Sequence, residues 1–224
     1  CRGEPAEPAV ENARMKAVIF DIDGTLLHSA AVDDALYRKA VQTVLGDVQL
    51  RPALHDYPYV TDTGILQQIL EDNALAREER LLEEIRSIFV ALLRDHVNAH
   101  GPFAEIPGAR DFLRSLRQSS SHAVAMATGG WRQSAEFKLY SAGFEVENIP
   151  LATADDHHER TTIMEIALDS LGGMFETVTY YGDGPWDRRA CEQLGWEFVA
   201  VGVELGGLEN FHGATGPIRT KESS

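Results

Sequence analysis

The sequence predicts an α/β protein in which a doubly wound parallel sheet carries an inserted helical cap. Three observations carry that prediction. The short apolar run of residues 16–20 ends abruptly in "DIDGT"; helix-period and strand-like segments alternate from residue 109 to near the end; and residues 30–104 between them hold only helical patterns. Strands separated by helices imply right-handed crossovers, hence a parallel sheet covered on both faces.

Taken in order, Lys16–Asp21 reads as a short buried strand broken by Gly24. Apolar residues then recur at spacings of three and four, the signature of one helix face: Val32, Leu36, Ala40, Val44; Ile65, Leu66, Ile69, Leu70; Leu81, Leu82, Ile85, Ile88, Phe89, Leu92, Leu93. A connection of that length far exceeds the ~4–6 residues of an ordinary loop. Residues 30–104 are therefore expected to form a helical cap, with 15–29 and 105–224 as the core and 1–14 as a disordered leader. After "GPFAEIPGA" come a helix over Ala109–Gln118, the strand "HAVAMAT" (122–128) running into Gly-Gly, and a helix over Gln133–Ala142. The apolar stretch "IPLATA", a helix over Thr161–Leu171, the strand "TVTYYGD" ending at Asp183, a helix over Pro185–Leu194 and the strand "EFVAV" complete the core.

Composition narrows the function. The 224 residues are 44% hydrophobic and 25% charged, the balance of a soluble globular chain, and no apolar run approaches the ~20 residues needed to span a bilayer. A net charge of -15 argues against a nucleic-acid partner, because phosphate backbones are bound by excess Lys and Arg. Any phosphate site in such a field needs local cations. The two cysteines, Cys1 and Cys191, form neither a disulfide framework nor a zinc spacing, so a reducing, cytoplasmic compartment is expected. The leader has no apolar segment of the secretory kind. Nothing in the residues speaks to oligomeric state.

In open α/β sheets the ligand lies outside the carboxyl ends of the strands, where distant parts of the sequence meet. Asp21, Asp23, Thr128, Asp183 and Asp187 all fall at such ends. Converging carboxylates repel at neutral pH, and a hard divalent cation with oxygen ligands, magnesium first, is the natural way to hold them together. The hydroxyl of Thr128 and the backbone amides that follow it, Gly129 first, are suited to phosphate oxygens.

"DIDGT", "ATGG", a basic residue opening the next helix, and "GDGPWD" together resemble the four ordered motifs of the haloacid dehalogenase superfamily, with a cap inserted after the first. The resemblance runs from about Met15 to His212. It implies a Rossmann-like core in which Asp21 is a nucleophile and Asp23 a general acid and base. Thr128, Gly129 and Arg160 would then hold phosphate, while Mg²⁺ would sit on Asp21, the Asp23 carbonyl and Asp183, with Asp187 reaching it through water or orienting the basic residue. That residue is usually Lys in the family and is Arg160 here, which keeps the charge and adds a planar fork. An Asp two residues after the nucleophile belongs to the phosphoryl-transfer branches, where an alkoxide must be protonated on leaving. The expected activity is hydrolysis of a small phosphorylated metabolite through an aspartyl-phosphate. A phosphomutase resembling β-phosphoglucomutase and a catalytically silent binding module are the alternatives. In the cap, "VTDTGI" resembles the Thr-Asp pair of the phosphoglycolate phosphatase-like branch, with Val60 or Tyr59 in place of the customary glycine.

Other clusters are expected to be structural. "DDHHE" (155–159) reads as a surface loop, His96 and His100 as a solvated helix end, Cys191 as core, and Trp131 and Trp186 as packing beneath their loops.

Overall fold

The computed structural model describes residues 15–214; the leader expected at 1–14 lies outside them. Five strands form one parallel sheet: β1 (Lys16–Phe20), β2 (His122–Ala127), β3 (Leu151–Ala152), β4 (Val178–Gly182) and β5 (Glu197–Ala200), in the order β3-β2-β1-β4-β5. β1 is central because it is apolar on both faces. Val18 and Phe20 point into one layer and Ile19 into the other, all three fully buried, each stabilising the fold by ~1.5–3 kcal/mol.

The two layers contain different helices. α4 (Ala109–Gln118) and α5 (Arg132–Ser141) cover the Val18/Phe20 face through Phe112, Leu116, Ala135 and Leu139; α6 (Arg160–Ser170) and α7 (Pro185–Leu194) cover the Ile19 face through Ile163, Met164, Ala167, Ala190 and Cys191. Cys191 is thus core, as its helix position suggested. Between β1 and α4 stand α1 (Ala30–Leu45), α2 (Asp62–Asp72) and α3 (Glu79–His100). α1 and α3 pack together through Tyr37 on Phe89, with ring centroids 5.8 Å apart, and Trp131 of the core joins the same cluster at a tilt, 5.5 Å from Tyr37. Among the described residues no helix is long and apolar enough to cross a membrane.

β3 is shorter than "IPLATA" promised. Only Leu151 and Ala152 pair with β2, because Asp156 Oδ2 accepts both the Thr153 N–H (2.8 Å) and the Thr153 hydroxyl (3.0 Å) and turns the chain out of the sheet. The chain runs outward from β1 through β2 to β3, then crosses back to place β4 on the other side of β1. The topological switch point therefore lies between β1 and β4, and Asp21 and Asp183 follow those two strands directly.

Candidate active site

The tight turn after β1 begins the site. Gly24 adopts φ +77°, a conformation open to glycine, and a Cβ there would overlap the Asp183 carboxylate. The β1 and β4 loops approach each other that closely only because position 24 has no side chain.

Asp21 extends the β1 ladder, its N–H donating to the Tyr181 carbonyl at 2.9 Å, and its side chain is buried. Asp21 Oδ1 is enclosed and has no hydrogen-bond partner, while the nearest cation, Arg160, stands 3.7 Å away. Arg160 opens α6 and reaches under the loop after β2. Its Nη1 donates to Asp187 Oδ1 at 2.7 Å and its Nη2 to the Val60 carbonyl at 3.1 Å. Gly129 makes room for that guanidinium, since a Cβ at 129 would press on it. Burial opposes the charge of Arg160, but Asp187, Tyr180 and Asp21 more than offset it, so the cation is held above the ordinary arginine range. Asp187, fully buried in the first turn of α7, has both oxygens engaged: Oδ1 by Arg160, Oδ2 by the Gly184 N–H at 3.0 Å. Thr128, directly after β2, is buried, its hydroxyl accepting from the Gly130 N–H at 3.2 Å.

Asp21, Asp183 and Asp187 offer oxygens within 4.8 Å of one another. Three carboxylates that close, one with an orphaned buried oxygen, are a hard-donor set that fits a divalent cation. Burial pushes all three up, like-charge neighbours add to the rise of Asp21 and Asp183, and Asp183 reaches about 7. A carboxylate raised from 3.8 to about 7 holds its proton in the folded protein over a window in which the unfolded chain has already released it. Stability of the metal-free protein must then fall as pH rises through that window. Thermal melts in chelator should give a lower midpoint at about pH 8 than at about pH 5, and Asp183→Asn should narrow the gap. A midpoint equal or higher at the alkaline end contradicts this arrangement of charges.

The cleft above these groups has a volume of about 380 Å³ and is walled by Asp21, Asp23, Thr128, Gly129, Arg160 and Asp183 from the core. Asp33, Tyr37, Val60, Thr61 and Asp62 line it from the helical insertion. All seven residues singled out by sequence thus gather at one end of the sheet. Trp186 departs from expectation: it packs against the core on one side and lines the cleft on the other. Trp131 does pack, but against the insertion, and its indole N–H donates to the Thr63 hydroxyl at 2.9 Å. "VTDTGI" has a structural meaning that its imperfect match concealed. Thr61 caps α2 by accepting the Gly64 N–H at 3.1 Å, and Asp62 Oδ2 accepts the Trp131 N–H at 2.8 Å, tying insertion to core.

Sequence reasoning missed Lys138. This α5 lysine is fully buried, and its ammonium lies 2.7 and 2.6 Å from the two oxygens of Asp23 and in contact with Asp33 of α1. The Ser29 hydroxyl donates to Asp23 Oδ1 from another side. A signal was present, because Lys138 shares the buried face of α5 with Ala135 and Leu139, three and one residues away, where a lysine has no business without a partner. The two carboxylates on one ammonium leave Asp33 pushed up to about 7 by burial and by Asp23, against the pull of Lys138.

An open parallel sheet with this cleft at its switch point defines an α/β enzyme of the doubly wound class. The haloacid dehalogenase-like hydrolase model matches residues 15–195, most of the chain, and the protein belongs to that family. Among solved structures, CbbY from Rhodobacter sphaeroides in complex with phosphate superposes with a TM-score of 0.65 at 20% identity, covering 92% of each chain. β-Phosphoglucomutase (pgmB) from Clostridium difficile gives 0.66 at 19% identity, covering 84% of this chain and 85% of its own, and a hydrolase from Pseudomonas syringae gives 0.66 at 19%, covering 82% and 83%. At these identities the likeness is one of fold. Comparison with curated proteins finds no match.

Proposed function

We propose that the protein is a magnesium-dependent, cytoplasmic phosphatase that hydrolyses a small phosphorylated metabolite through an aspartyl-phosphate on Asp21. The observation that carries this reading is the orphaned Asp21 Oδ1: a buried carboxylate oxygen without a hydrogen-bond partner, at the base of a cleft that Arg160 also enters. Leaving such an atom unsatisfied is costly unless the site is completed by a ligand.

In the first half-reaction Asp21 attacks phosphorus in line, forming the O–P bond to the enzyme as the bond to the leaving oxygen breaks, and Asp23 gives that oxygen its proton. In the second, Asp23 takes a proton from water, the water oxygen bonds to phosphorus, and the Asp21–P bond breaks. Phosphate and the free enzyme result. The Thr128 hydroxyl, the Gly129 amide and the Arg160 guanidinium hold the transferring group, whose charge grows on its equatorial oxygens. Asp187, with both oxygens engaged by Arg160 and Gly184, orients the arginine. Asp21, Asp183 and the Asp23 carbonyl would hold magnesium, which supplies Lewis-acid polarisation and positioning of the phosphoryl group. The insertion, residues 30–104, acts as a cap that excludes bulk water and reads the leaving group.

The test is a panel of phosphorylated metabolites assayed with and without magnesium. Phosphate release that chelator abolishes and added magnesium restores is the expected result. Full activity after exhaustive chelation would remove the metal from the account, isomerised sugar phosphate without free phosphate would make the protein a mutase, and no turnover of any ester would favour the silent binding module.

A further inference from the structure

We propose that Lys138 is the positioning residue of Asp23 and couples it to the helical insertion, so that seating the insertion and aligning the general acid are one event. This rests on the phosphatase reading above. An ammonium fully enclosed in a core forgoes its hydration, which the fold tolerates only when carboxylates replace the lost water. Lys138 has such replacements from two parts of the chain. Asp23, in the turn after β1, meets it with both oxygens, at 2.7 and 2.6 Å, and Asp33, in the first turn of α1, meets it from the insertion. Asp62, at the start of α2, adds to the negative field around it.

The donor count fixes the kind of role. An ammonium has three N–H groups, and the two Asp23 oxygens with Asp33 Oδ1 take all three, so none is left for a substrate phosphate. Arg160 serves a separate set of carboxylates, Asp21 and Asp187. The site therefore has two cations with different tasks: one at the phosphoryl end, the other behind the residue that handles the leaving group. With Ser29 fixing Oδ1 from a second direction, the Asp23 carboxylate has its plane and reach defined, and half of that definition depends on α1 being in place.

A positioning role and a merely structural one differ in leaving-group dependence. An alkyl phosphate needs its departing oxygen protonated, whereas p-nitrophenolate leaves without a proton. Lys138→Met, which keeps length and apolar bulk, should lower kcat on an alkyl phosphate from the active panel at least about tenfold more than kcat on p-nitrophenyl phosphate, a fraction of the ~10²–10⁴ that a general acid supplies. KM should change little. Lys138→Gln, which restores a donor without the charge, should recover part of the difference, and it reads the same ratio if the Met variant does not fold. If wild type hydrolyses neither ester, the phosphatase reading itself fails. If wild type hydrolyses both and a folded Lys138 variant loses both in equal proportion, the lysine is structural and this assignment is overturned while the reading stands.

Discussion

Asp21→Asn is expected to remove essentially all turnover, by about 10⁴-fold or more, because in the proposed mechanism it deletes the attacking oxygen while keeping the shape of the side chain. The same substitution should raise the thermal midpoint of the metal-free protein. Burial first, then Asp187, Asp183 and Asp23, push the Asp21 carboxyl well above the usual range against the pull of Arg160, and a neutral amide relieves both the desolvation and the repulsion. Loss of activity together with a gain of stability separates a missing nucleophile from a damaged fold. Cys191→Ser is the control. Burial pushes that thiol up to about 12, so it is protonated at neutral pH, and it lies on the core face of α7 without lining the cleft. Its kinetics should match wild type, as steady-state assays on both variants will read.

Arg160→Ala should cost the transition state ~2.7–4 kcal/mol, or about 10²–10³ in kcat, the loss typical of one preorganised electrostatic donor. Its guanidinium is anchored by Asp187 and the Val60 carbonyl and stands 3.7 Å from Asp21, so it is aimed before substrate arrives. Arg160→Lys should recover part of the loss, since an ammonium restores the charge but not the fork that reaches two anchors. Alanine at this position also leaves Asp187 buried with one partner fewer, so folding must be verified by thermal melts. A folded Arg160→Ala enzyme with wild-type kcat/KM would mean that the phosphoryl clamp lies elsewhere. Arg132, the other arginine that opens a helix near a strand end, is a poor substitute. Its guanidinium is spent on the Leu151 carbonyl and Asp156, and the cleft lining excludes it.

The parts of the fold legible in sequence were those whose signal is local. β1 and β4 read as apolar runs stopped by Asp and Gly because parallel central strands are buried on both faces, and the bounds expected for α4 and α7 match those observed. β3 was not, since its length is set by the Thr153–Asp156 turn rather than by apolarity. In the site, Asp21, Asp183, Asp187 and Arg160 were legible because each follows a strand or opens a helix at the same end of the sheet. Lys138 and Asp33 were hidden for a different reason, and Asp62 was flagged only within "VTDTGI", without its place beside Asp23. They lie mid-helix or in the first turns of insertion helices, where charged residues are ordinarily solvated, and only tertiary packing brings α1, α2 and α5 together around Asp23. The cation-on-apolar-face rule would have flagged Lys138, though not its partners.

The most direct measurement is rapid-quench labelling of wild type and Asp21→Asn with a substrate carrying labelled phosphate. The account predicts an acid-stable, hydroxylamine-sensitive phosphoryl adduct on a peptide containing Asp21 in wild type and none in the variant. Label on a histidine or serine, or phosphate release by Asp21→Asn at a rate near wild type with no adduct trapped in either protein, would contradict it.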